Sequence, residues 1–168
     1  MIHIENILCE DYFRVECFDK DGNLKWADTI TNLVVNVGLN DALDKYFKGS
    51  TYTASHFVGL TTATPTVAAA DTMASHAGWT ESVVYSNATR PAYTPGTVAG
   101  GSVDNSASKA SFTIDTGGTI GGAFLTTDGT KSGATGILYG GGAFAGGNRA
   151  VISGDTVNVT VTATMAAA

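Results

Sequence analysis

From residue 156 to residue 164 the chain alternates without a break. Val157, Val159, Val161 and Ala163 share one parity, and Asn158, Thr160, Thr162 and Thr164 share the other. A period of two fits an extended strand with one face in a core, because a helix would scatter these valines around its circumference. Such a strand needs neighbours for its backbone groups and a second apolar layer over its valines. Its polar parity is Thr and Asn rather than Lys and Glu, a mildly hydrophilic face that suits contact with another surface.

Partner strands are legible upstream at residues 56–60, 81–85, 109–114, 120–126 and 137–139. Gly-rich connections separate them at residues 96–108, 116–118, 127–136 and 140–147, in a chain with 21 Gly and only 3 Pro. Short strands at regular spacing with turn signals predict a mainly β fold, an antiparallel β-sandwich or barrel. Near the start, the runs 12–18 and 24–30 flank Asp21-Gly22, which predicts an N-terminal β-hairpin. A third apolar run, Leu33-Val34-Val35, follows. The one good helix candidate covers residues 40–48: Asn40 serves as N-cap, Asp41 suits the positive end of the dipole, and Gly49 stops it. Leu39, Leu43, Tyr46 and Phe47 fall on one side of it. So short a helix needs support, so Leu43 and Phe47 are expected to bury against the sheet close to Trp79. At 168 residues the chain suits a single β-rich domain, with a hairpin-plus-helix element over 1–49 and a Gly/Thr/Ala-rich β body over 50–168.

Charge narrows the possible partners. Charged residues make up 14% of the chain, the net charge is −6, and the nine Lys and Arg form no run. No basic stripe is available to neutralise phosphates, so nucleic acid is not expected as a partner. No apolar run approaches the ~20 residues of a membrane helix, and the first residues carry acids rather than a basic leader, so neither a membrane span nor a secretory signal is expected. Cys9 and Cys17 share a strand parity but stand far apart along it. Two free thiols of a reducing cytoplasm are expected, rather than a disulfide or a zinc site.

Candidate chemistry is thin. Gly117-Gly118 with Gly121-Gly122 lacks the strand-then-helix context of a dinucleotide loop, and Gly129-Thr130-Lys131-Ser132 lacks the Gly that precedes the Lys of a phosphate loop. His3, His56 and His76 are widely separated, and no GxSxG elbow places a nucleophile. Glu10-Asp11 and Asp19/Asp21 read as solvated acids beside the hairpin, and the run from Asp19 to Asn23 lacks the distal Glu of a calcium loop. No catalytic, cofactor-binding or metal residue is expected, and the chain does not read as an enzyme. What remains are large side chains suited to packing or to an interface, Trp26, Phe47, Trp79 and Tyr93, and Arg90, expected in a salt bridge or a cation–π contact.

Several phrases carry a resemblance: NLVVNVGLNDALDKYF (32–47), FVGLTTATPTVAAADTMASHAGWTE (57–81), ATRPAY (88–93), SASKASFTI (106–114), GGAFL (121–125) and DKDGNLKW (19–26). This wording resembles a family of small virion structural proteins of tailed bacteriophages and covers most of the chain. The resemblance implies a capsid decoration or cement protein that binds and stabilises the assembled head. It implies the major capsid protein as partner and location in the virion after synthesis in the bacterial cytoplasm. The weakly charged later surface of Thr, Ala, Ser and Gly, cheap to desolvate, adds an expectation of self-association, with a trimer as the first guess. The alternatives are a tail or head–tail connector component, or a carbohydrate-binding receptor module whose exposed aromatics stack on sugars.

Overall fold

The structure, a computed structural model, describes residues 7–52 and 55–167, and the side chains of 7–11 and 166–167 lie outside the described part. Its strands are β1 (Ile7–Phe18), β2 (Leu24–Thr31), β3 (Leu33–Val34), β4 (His56–Thr61), β5 (Glu81–Ser82), β6 (Ala92–Tyr93), β7 (Ser102–Asp104), β8 (Ala110–Thr113), β9 (Gly118–Ile120), β10 (Gly122–Thr126), β11 (Leu138–Ala143), β12 (Arg149–Val151) and β13 (Thr156–Ala167). One α-helix, α1 (Asn36–Phe47), lies between β3 and β4.

The protein is mainly β, with antiparallel sheets in a sandwich arrangement. One sheet runs β2-β1-β13, with β7 and β8 both pairing the far edge of β13. The other runs β3-β11-β10-β4, with β5 and β6 both on the far edge of β4. β9 and β12 form a separate two-stranded ladder. The N-terminal hairpin forms as expected. Gly22 takes φ +83° at its turn, a conformation that costs a residue without Cβ nothing. Asp19 Oδ1 accepts the backbone N–H groups of Asp21 and Asn23, both at 2.9 Å, so the acidic turn spends its first carboxylate on its own backbone. The hairpin does not stand apart from the later body, because β1 pairs β13 from Ile7↔Ala167 to Phe18↔Thr156.

The alternation of β13 is borne out: Val157, Val159 and Val161 are fully buried. They meet Phe13, Val15 and Cys17 of β1, Phe112 of β8, Val58 and Leu60 of β4, and Ala123 and Leu125 of β10 in the main core. The second sheet is buried on both faces. On its far side Phe124 and Leu138 join Val35, Met73 and Trp79 in a smaller core, closed by the connection between β4 and β5. Gly59 makes room for that core, since a Cβ there would stand 2.1 Å from the Phe124 ring.

Three strand expectations need correcting. Residues 81–85 are strand only at Glu81–Ser82, and Tyr85 then forms an isolated bridge with Ile114. Residues 120–126 split at Gly121, where the β4–β5 connection crosses so closely that a Cβ would lie 2.1 Å from the Ala63 carbonyl carbon. The Gly run after residue 139 is strand rather than loop: Gly140, Gly141 and Gly142 belong to β11, packed against Asn32, Phe124 and Ile30 where a side chain would collide.

Candidate interaction surface

α1 starts earlier than its sequence suggests. Its N-cap is Val35, with no side-chain cap, and Asn40 lies inside the helix. Backbone bonds fix the start instead: Val35 N–H donates to Tyr139 O and Asn36 N–H to Ala69 O, both at 2.9 Å. The following turn lies directly on β11, where a Cβ on Gly38 would sit 2.7 Å from Tyr139 Cα. Only a residue without a side chain permits that approach, and this selects the face that α1 turns to the sheet.

The face selected is the polar one. Gly38 is buried, Asp41 accepts a hydrogen bond from the Tyr139 hydroxyl, and Lys45 Nζ lies 3.8 Å from Asp41. The apolar stripe therefore points outward: Leu39 is 37%, Leu43 56%, Tyr46 82% and Phe47 68% exposed, and Tyr52 just beyond the helix is 60% exposed. The expectation that Leu43 and Phe47 bury near Trp79 is overturned. Trp79 is in the smaller core as expected, but the helical residue that packs against that core is Val37. The Tyr46 and Phe47 rings meet edge to face at 5.0 Å, and Asp44–Lys48 pair at 2.9 Å one helical turn apart.

Near Tyr52 lies His56 of β4. Its ring is 4.9 Å from Tyr139 and 6.4 Å from both Tyr93 and Tyr52. Burial holds the His56 pKa below its usual value, and the Asp41 carboxylate opposes that in part.

The remaining expected anchors serve internal packing. Trp26 is half-buried, with its ring 5.9 Å from both Phe144 and the Arg149 guanidinium and its Nε1–H donated to Ala150 O. Trp79 donates Nε1–H to Asp71 at 3.1 Å, stacks on His76 at 3.7 Å and tilts over Phe124 at 4.8 Å. Tyr93 packs against the main core. Of the four anchors only Phe47 faces outward, and the structure does not gather the four together.

Two clefts hold polar groups. One, of about 180 Å³, is lined by Met73, His76, Trp79, Glu81, Ser132 and Gly133 among others. Glu81 there is bonded on both oxygens to Arg90, Nε at 2.9 Å and Nη2 at 2.7 Å, and also accepts the Ser132 N–H at 2.8 Å. Arg90 also donates to the Asp128 and Gly133 carbonyls and lies 5.3 Å over the Phe124 ring. The expected salt bridge and the expected cation–π contact are both present, and together they clamp residues 128–133 onto β5. The second cleft, about 340 Å³, lies among residues 96–107. Its Asp104 is held below the usual carboxylate range by the hydroxyl and backbone N–H of Ser106.

Among the described residues no three His, Cys, Asp or Glu side chains converge as metal ligands. The Cys17 thiol is free and buried beside Asp155, which together push its pKa up to about 12. Cys9 lies in β1 opposite Met165, but its side chain and those of Glu10 and Asp11 are outside the described part, as is all of His3. No helix among the described residues is long and apolar enough to cross a membrane. No family model matches the chain, and no curated protein matches it either.

Proposed function

We propose that this chain is a structural protein of a tailed-phage virion, a decoration protein that binds the assembled head and stabilises it. One observation supports an assembly role: the everted helix, with its small and charged side on the sheet and its leucines and aromatic rings in solvent. A soluble domain seldom leaves such a stripe bare, and its usual cover is another protein. The virion setting rests on the sequence resemblance. The outward rings stand on a helix surface rather than lining either cleft, so the sugar-stacking alternative gains no support. A tail or connector position would use the same contact chemistry in fewer copies.

The test is addition of purified protein to phage heads that lack it. Saturable binding near the copy number of a capsid junction, with greater resistance to heat or chelator, is the expected result. Heads that neither bind the protein nor gain stability rule the reading out, and a few copies located at the tail move it to the connector alternative.

A further inference from the structure

The outward stripe of α1 has a polarity of its own. Leu39 and Leu43 occupy its N-terminal half, and Tyr46, Phe47 and Tyr52 cluster at and beyond its C-terminal end. We infer that this surface is covered by a second copy of the same chain, α1 against α1 in antiparallel orientation about a two-fold axis near Leu43. This rests on the assembly reading above and names its first partner.

Three features favour a second copy over a different protein. Antiparallel pairing seats the rings of each copy on the leucines of the other, so the stripe is its own complement, as an isologous interface requires. The charge beside it is neutralised within each chain, because Asp44 pairs with Lys48, while Asp41 and Lys45 are turned to the sheet. Two chains of net charge −6 can therefore meet here without opposing like charges. The area is also of the right size. A large side chain presents roughly 200 Å² when bare, so these five side chains, 37–82% exposed, offer on the order of 600 Å² per copy by that measure. A standard interface takes about 800 Å² per partner, which flanking residues could complete. The pairing is two-fold, in place of the trimer expected from the sequence.

The experiment is sedimentation of the full chain across micromolar concentrations, with head binding measured in parallel. A concentration-dependent dimer is expected, with dissociation shifted about tenfold or more by Phe47→Asp while the circular dichroism spectrum stays unchanged. As a second readout, Leu43→Cys in a Cys9→Ser background should give a disulfide-linked dimer on mild oxidation, whereas Ser111→Cys on β8 should not. A wild-type monomer at all concentrations, or a dimer indifferent to Phe47→Asp and not trapped by Leu43→Cys, overturns the inference. A monomer that still binds heads through this stripe would sink the dimer and leave the decoration reading intact. A dimer broken by Phe47→Asp that never binds heads would do the reverse.

Discussion

Arg90 has no exposed side-chain surface, yet its guanidinium donates to a carboxylate and to two backbone carbonyls. A buried charge is tolerable only with such a full set of partners, and removing one member strands the other. Arg90→Met leaves the Glu81 carboxylate facing the smaller core without its cation. The expected loss of stability is about 3–5 kcal/mol, measured by urea denaturation, and Glu81→Gln added to Arg90→Met should recover part of it. Cys17 gives a chemical test of the same kind. With its thiol pushed up to about 12, it holds almost no thiolate near neutrality, so it should resist iodoacetamide in the native protein and react once urea unfolds it. Peptide mapping distinguishes it from Cys9. Rapid native labelling of Cys17 would contradict its buried position.

At the scale of elements, the position of a strand was easier to read than the orientation of a helix. Val157, Val159 and Val161 announce β13 because a period of two leaves one choice of inward face. Asp21-Gly22 announces the first hairpin because few dipeptides suit that turn. The same reasoning misplaced α1: its hydrophobic stripe is real, but amphipathicity cannot say whether the apolar side meets its own sheet or another molecule. Gly38 held the missing signal, since a lone glycine in a helix marks a close approach, here to Tyr139. The Gly run of β11 reads as a loop from its residues for a related reason, because glycine signals both turns and tight packing. The ion pair of Glu81 with Arg90 was half legible from the isolation of Arg90 in a weakly charged segment, but its partner was not. For stability, Phe47→Ala should cost the monomer less than about 1 kcal/mol, as exposed substitutions generally do, rather than the several kcal/mol of a core phenylalanine. Thermal unfolding under monomeric conditions checks this, and a loss above about 3 kcal/mol would return Phe47 to a core.

For the molecule as a whole, stability should depend on pH in two windows below neutrality. His56 has a folded pKa below its usual value because burial disfavours the imidazolium. Between that value and about 6.5 the unfolded chain binds the extra proton, so stability falls as pH drops through this window and is regained above it. His56→Gln should flatten this part of the profile relative to wild type, and an unchanged slope would remove His56 from the account. Below the ordinary carboxylate range a second loss follows. Burial raises the Asp28 pKa, but Arg149 and the Thr29 and Gly146 N–H groups outweigh it. Glu16 is lowered chiefly by Lys109 and Asp128 by Thr135, so protonating any of the three removes a native interaction. The ladder between β1 and β13 also has a consequence for biosynthesis. Val15 lies opposite Val159, so the central pairing of the first sheet joins strands that are far apart in the sequence and are therefore made at different times. Until β13 leaves the ribosome, one edge of β1 has no partner and Phe13, Val15 and Cys17 lack their lateral neighbours Val161, Val159 and Val157. Such long-range closure makes folding slow and the nascent chain prone to association. A ribosome stalled before residue 156 should therefore carry a chain that proteases cut readily, and release of a chain that includes β13 should bring protection in a single late step.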